Sequence, residues 1–251
     1  MIELVDCNLL ITGATSTIGR SIARRAAASN ARLALHYHSN EAGAIALAKE
    51  LDAIYVHADL SSAASIQKMT ASLADQNFRV QALVNNAADQ SIGALEQLSL
   101  EDWQRMLRTN LDAVFILCQQ LAPEIIQNMG NERIGGIVNI SSIESIDPAA
   151  GHGHYATSKA ALNMLTKALA SEYGPQGLRV NAVSPGLIHR DGIEDAWPEG
   201  VARWLANAPL QRLGQPDDVA DAVVFLLSHA ARWISGHNLV VDGGMSTQAR
   251  W

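Results

Sequence analysis

The sequence predicts an α/β protein built on one doubly wound parallel sheet of seven strands, with helices on both faces. Three observations carry this. Seven short apolar runs alternate with helix-length stretches along the chain. The runs are apolar at successive positions, so both faces of each strand are expected to be buried, as in a parallel sheet between helical layers. The alternation extends from residue 8 to residue 242 without a composition break, a low-complexity tract or an internal repeat, so 1–251 is expected to form a single domain.

Each element has a local signal. Leu9-Leu10-Ile11 is the first strand, and a glycine turn leads from it into a helix over Ile18–Ser29. Arg32 to Tyr37 is the second strand, followed by a helix over Glu41–Leu51. Ile54-Tyr55-Val56 is the third, followed by a helix over Ser62–Gln76. After the fourth strand, Ala82-Leu83-Val84, one long helix is expected over Leu100–Met129, opened by a capping box of Ser99 and Asp102. Ile137 to Ile140 is the fifth strand. The helix over Tyr155–Tyr173 is stopped by Gly174-Pro175. Arg179 to Val183 is the sixth strand, and a long insertion, Gly186 to Pro209, follows it. That insertion holds Trp197 and Trp204 and lies at a strand's C-terminal end, where it is a candidate substrate lid. Pro216-Asp217-Asp218 opens the last helix, with acids at its positive dipole end, and Leu239-Val240-Val241 is the seventh strand.

Composition narrows the function classes. With 48% hydrophobic residues in 251, the chain can bury a core, which excludes wholesale disorder. Cys7 and Cys118 are too few and too far apart for a disulfide scaffold or a four-thiolate zinc site, and they suit a reducing compartment. The net charge of −7 comes from scattered acids without a basic cluster, so no nucleic-acid partner is expected. No apolar run reaches the ~18 residues of a membrane span, and residues 1–10 lack the basic start of a signal peptide. A cytoplasmic protein acting on small molecules is the expectation.

The chemistry begins at Thr12-Gly13-Ala14-Thr15-Ser16-Thr17-Ile18-Gly19, between the first strand and the first helix. Glycines there let the chain turn sharply and approach a pyrophosphate, while the helix N-terminus supplies amide donors. The strongest feature is Tyr155-Ala156-Thr157-Ser158-Lys159, which puts a phenol and an ammonium four residues apart on one helix face. A phenol near its reference pKa of ~10 is a poor proton carrier at neutral pH, and bringing it to about 7 requires roughly 4 kcal/mol. One ammonium at ~4 Å in an effective dielectric near 20 supplies about that much. Lys159 is therefore expected to lower the Tyr155 pKa.

Together these motifs resemble the short-chain dehydrogenase/reductase superfamily over essentially the whole chain, Leu9 to Gly244. The turn is similar to its TGxxxGxG, with Thr17 in place of the middle glycine. Asn85-Asn86-Ala87-Ala88 resembles NNAG, with Ala88 in place of the glycine. Asn110 matches the helix asparagine, Ser142 lies thirteen residues before Tyr155 as in the family, and Pro185-Gly186 and Val241-Asp242-Gly243-Gly244 match its PG and VDGG. The resemblance implies a Rossmann fold and hydride transfer between a nicotinamide and a carbonyl or secondary alcohol of a small polar substrate. It implies Tyr155 as proton donor and acceptor, Ser142 as orienting group on the substrate oxygen, Lys159 on the nicotinamide ribose, and Asn110 holding a relay water. No metal is implied.

The implied cofactor contacts are Gly13, Thr15, Ser16, Thr17, Ile18, Gly19, Asp59, Leu60, Asn86, Ala87, Ala88, Tyr155, Lys159, Pro185, Gly186 and Ile188, with Tyr37, His38, Ser39 and Asn40 at the adenosine ribose. The family's NAD-selecting acid would fall at Tyr37. Without it a 2′-phosphate is not repelled, so NADP(H) is preferred and NAD(H) is the alternative, although neither Ser16 nor His38 is the usual clamping arginine or lysine. Ser142, Glu144, His152, Arg190 and Trp197 are candidate substrate contacts. Arg190 could meet an anionic substrate, with a surface ion pair the favoured alternative, and His154 is read as a residue that packs locally or faces solvent. The family's C-terminal motif and the alanine-rich helix imply a homotetramer.

Two other enzymes stay open, a pteridine reductase and a 3-oxoacyl-carrier-protein reductase, beside a dinucleotide-binding sensor or scaffold without turnover. Ser142 stands against the first. The second wants a basic patch, and only scattered residues such as Arg133 offer one.

Overall fold

The structure is a computed structural model, and it describes residues 2–129 and 136–247; Arg133 lies outside them. The strands are β1 (Asn8–Ile11), β2 (Arg32–Tyr37), β3 (Ile54–His57), β4 (Ala82–Asn85), β5 (Gly136–Ile140), β6 (Val180–Pro185) and β7 (Asn238–Val241). The helices are α1 (Thr17–Ala28), α2 (Glu41–Leu51), α3 (Ala63–Asp75), α4 (Leu100–Leu107), α5 (Ala113–Asn128), α6 (Gly153–Tyr173), α7 (Ile193–Ala196), α8 (Pro198–Asn207) and α9 (Pro216–Leu227).

Every strand pairing is parallel, in the order β3-β2-β1-β4-β5-β6-β7. The strand period of two sorts the core. Leu9 and Ile11 face one side with α1, α2 and α9 through Ile22, Ala26, Leu47, Val223 and Leu227. Leu10, between them, faces the other side with α3, α5 and α6 through Ile66, Leu73, Leu117, Leu121 and Leu162. Seven strands and helices on both faces are as the sequence predicts. The order reverses between β1 and β4, the topological switch point at which open α/β sheets bind ligands. Among the described residues, no helix is long and apolar enough to cross a membrane.

One expected element is different. The single helix over Leu100–Met129 is broken into α4 and α5 by a π-helical turn, Arg108–Asp112. The inserted residue turns Asn110 inward. There its Oδ1 accepts from the Asp89 amide at 2.8 Å, and its Nδ2 donates to the Asp89 carbonyl at 2.9 Å and to Ser158 Oγ at 3.1 Å. These tertiary bonds offset the widened turn, so the helical pattern continues through it.

The insertion after β6 carries α7 and α8, which close on a small core of their own: Ile193, Val201, Trp204, Ala208 and Leu213. Trp204 Nε1 donates to the Arg212 carbonyl at 3.1 Å, and its ring lies where a Cβ on Gly186 would fall, 2.5 Å away. A side chain at Gly186 would push this insertion off the end of β6.

Candidate active site

The glycine turn is fixed from three sides. Gly13 takes a left-handed φ of +60°, and a Cβ there would lie 2.9 Å from the Ala87 backbone. Ser16 caps α1 by accepting from the Gly19 amide at 3.1 Å. Asn86 Nδ2 donates to the carbonyls of Thr12 and Gly13, both at 2.9 Å, which ties the end of β4 to the turn. The buried Thr12 Oγ1 accepts from the amides of Asn86 and Ala87. Thr15 and Ile18 are half-buried beside them. Thr17 is the first residue of α1, and neither Thr17 nor Ala88 takes a positive φ, so neither replacement strains the backbone.

His36 completes the cradle and was not expected from the sequence. Its Nδ1 accepts from the Gly13 amide at 3.0 Å, and its Nε2 lies 3.1 Å from the Ala58 carbonyl, to which it donates. Burial pushes its pKa down to about 4, so the ring is neutral and this tautomer links β1, β2 and β3.

Ser142, Tyr155 and Lys159 converge at the C-terminal end of β5. The side chains of Ser142 and Gln90 act on the Tyr155 hydroxyl and lower its pKa, the latter a residue that sequence reasoning missed. Lys159 Nζ lies 5.6 Å from the Tyr155 ring centroid and donates to the Ile140 carbonyl at 2.8 Å. The expected lowering of the tyrosine pKa is not present in this form. Burial dominates, pushing Tyr155 up to about 12 and Lys159 down to about 8. The ammonium points at a carbonyl, and burial together with the Glu144 charge outweighs the lowering by Ser142 and Gln90. Asn110 sits behind this cluster, its amide engaged with Asp89 and Ser158 rather than with Lys159.

Glu144 and His152 flank the same cluster. Both Glu144 carboxylate oxygens lie within 3.0 Å of His152 Nδ1, and the Glu144 amide donates to Ser142 Oγ at 3.1 Å. The His152 ring stands edge-on to Tyr155 with centroids 6.0 Å apart. His154 is buried rather than solvent-facing, with no partner for its Nδ1 among the described residues. Arg190 is exposed and forms no ion pair among the described residues, contrary to the surface-pair reading. Trp197, on the insertion, is 47% exposed and packs under the Arg203 guanidinium at 5.8 Å.

A family model described as enoyl-(acyl carrier protein) reductase matches residues 13–246. The chain belongs to the short-chain dehydrogenase/reductase family. An L-rhamnose 1-dehydrogenase (NAD(P)(+)) of Azotobacter vinelandii is 36% identical, over 96% of this chain and 97% of its own. A 3-oxoacyl-[acyl-carrier-protein] reductase of Staphylococcus aureus is 33% identical, over 94% and 96%. A 7α-hydroxysteroid dehydrogenase solved with NADH and 7-oxo glycochenodeoxycholic acid superposes with a TM-score of 0.90 at 31% identity, over 96% of this chain and 95% of that one.

As a short-chain dehydrogenase/reductase, the protein is an oxidoreductase that uses a nicotinamide dinucleotide to interconvert an alcohol and a carbonyl. The described residues fit that cofactor. A Cβ on Gly13 or Gly19 would fill the turn, and the N-terminus of α1 lies behind it. Beyond β3, Asp59 accepts from the Ser61 amide and hydroxyl, which holds its carboxyl below the usual range. Leu60 is buried beside it. Tyr37 is buried, and its hydroxyl donates to Glu41 at 3.0 Å. His38, Ser39 and Asn40 follow it at the surface, where Asn40 caps α2. Pro185 ends β6, Gly186 follows it, and Ile188 pairs with Gly214 just beyond. No group of three or more His, Cys, Asp or Glu side chains arranged for a metal is present among the described residues.

Proposed function

We propose that this short-chain dehydrogenase/reductase acts on a small polyhydroxylated carbonyl or alcohol, with NADP(H) preferred and NAD(H) accepted. The observation that carries the substrate class is the Glu144–His152 pair beside Ser142 and Tyr155. A carboxylate accepts from hydroxyls, and an imidazole whose Nδ1 is held by that carboxylate keeps Nε2 for a second one. The likeness to an L-rhamnose dehydrogenase supports the same class.

When bound, the nicotinamide supplies hydride exchange at the carbonyl carbon. The chain's own residues do the rest. Ser142 bonds the substrate oxygen and orients it. Tyr155 gives that oxygen a proton in reduction and takes it back in oxidation. Lys159 binds the nicotinamide ribose, and its charge then favours the phenolate. With the Asn110 amide engaged, the relay water falls to the widened backbone of the π turn. The insertion at about 186–209 closes over the substrate, with Trp197 and Arg190 on its inner side. Residues 1–251 form one dinucleotide-binding and catalytic domain. Two free buried thiols fit a cytoplasmic setting, and the half-exposed Phe115 on α5 and Met164 on α6 fit a homotetramer.

A panel of aldoses, sugar acids, simple ketones, acyl thioesters and dihydropteridines, run with both cofactors, tests the substrate class. Turnover greatest on the hydroxylated compounds is expected. Preference for acyl thioesters would turn the reading to carrier-linked reduction, and tight cofactor binding without any turnover to a sensor. Tyr155→Phe is expected to lower kcat by about 10²- to 10⁴-fold with dinucleotide affinity unchanged. If most of the turnover survived with chemistry rate-limiting, the proton-transfer role would be wrong.

A further inference from the structure

Two histidines that the catalytic cluster leaves unused meet at the adenosine end of the cleft. His38 follows β2 and His57 ends β3, and both are exposed. Their rings are stacked, with centroids 6.2 Å apart and planes 24° from parallel. Tyr37 backs His57 at 5.3 Å. The sheet forces the meeting, since Tyr37 and His57 are register partners at its C-terminal edge and His38 is the next residue.

We propose that His38 and His57 form a pH-dependent reader of the cofactor's 2′-phosphate, shifting preference toward NADP(H) as they take up protons. This rests on the dinucleotide site described above. It replaces a fixed cation, because neither Ser16 nor His38 is a lysine or arginine.

Two adjacent imidazolium rings repel each other, and an anion between them removes that repulsion, so phosphate binding and proton uptake favour each other. The surrounding charges sharpen the effect. Glu41, at the start of α2, is held by the Tyr37 hydroxyl, and Asp59, beyond β3, interacts electrostatically with both histidines. Tyr55 of β3 packs on Tyr37 and brings no charge at neutral pH. His36 of β2 is buried and neutral, and adds none. With both histidines neutral, the two carboxylates leave the region negative and a ribose hydroxyl is the better ligand. With both protonated, the two imidazolium charges cancel the two carboxylates and a phosphate is accepted.

The test is the ratio of the Kd for NAD⁺ to that for NADP⁺, since the two differ only in the 2′-phosphate. Quenching of tryptophan fluorescence reads it at fixed ionic strength. From about pH 8 to about pH 6 the ratio is expected to rise about tenfold in the wild type. In His38→Gln/His57→Gln it is expected to stay flat or fall, because the phosphate itself takes up a proton near pH 6. Both side chains are exposed, so each single variant folds, and each is expected to keep part of the rise. A wild-type ratio that does not rise, or rises equally in the double variant, overturns the proposal. A rise with NAD⁺ tighter throughout supports the pH reader while reversing the proposed NADP(H) preference.

Discussion

At the scale of the residue, the site is governed by desolvation. Lys159 is buried, and its pKa of about 8 means that the fold holds a cation it would rather release. The unfolded chain keeps that proton to about pH 10.5 and the folded chain only to about pH 8. Between these values the unfolded state binds more protons, so this group makes stability rise with pH. Lys159→Met should therefore be more stable than the wild type near pH 7 by about 1–3 kcal/mol while losing turnover. Its melting temperature should lack the alkaline rise. Scanning fluorimetry from neutral to alkaline pH checks this, and a variant less stable than wild type at neutral pH would contradict it. The Tyr155–Lys159 spacing was legible because helix geometry is local. The roles of Gln90 and His36 were not, because each meets its partner only through the folded sheet: Gln90 is 65 residues from Tyr155 and His36 is 23 from Gly13.

Elements show where local signals end. Capping at Ser99 and the start at Pro216 are in the structure as read, since caps involve neighbours in sequence. The π turn at Arg108–Asp112 was invisible in the apolar pattern, because what stabilises it is a loop after β4 and a serine on α6. The C-terminus of α9 is another such case. The buried Arg179 beside β6 donates to the carbonyls of Leu226 and Leu227, acceptors at the helix end, and to those of Ser228 and Ala231 in the turn beyond it. Arg179→Met should destabilise the protein by about 3–5 kcal/mol, lowering Tm by roughly 10 °C. Thermal melts check it, and a shift under about 2 °C would mean that the helix end finds other donors.

Across the whole molecule, the parallel sheet brings the C-terminal ends of four neighbouring strands, β1, β4, β5 and β6, to one edge, with the glycine turn, Asn86, Ser142 and Gly186 along it. Both faces of that sheet are covered, so apart from Tyr55 on the edge strand β3 the large apolar residues still exposed among the described ones lie on helix exteriors or connections. Phe115 and Met164 are such residues on α5 and α6, and Trp233, before β7, is 98% exposed. Light scattering after gel filtration should give four chain masses. Phe115→Glu combined with Met164→Glu should give fewer, with the fold retained by circular dichroism. A wild-type monomer at all concentrations would dismiss the tetramer.

The sequence by itself determined the alternation of strands and helices, the glycine turn and the Tyr155–Lys159 pair. All of these depend on residues within a few positions of one another, where backbone geometry dictates the outcome. Only the tertiary structure decided the strand order, the break at Asn110, the Glu144–His152 pair and the stacking of His38 on His57. It also decided the acidity of Tyr155, because a pKa follows the solvent and charges around a group, and those are assembled from distant parts of the chain.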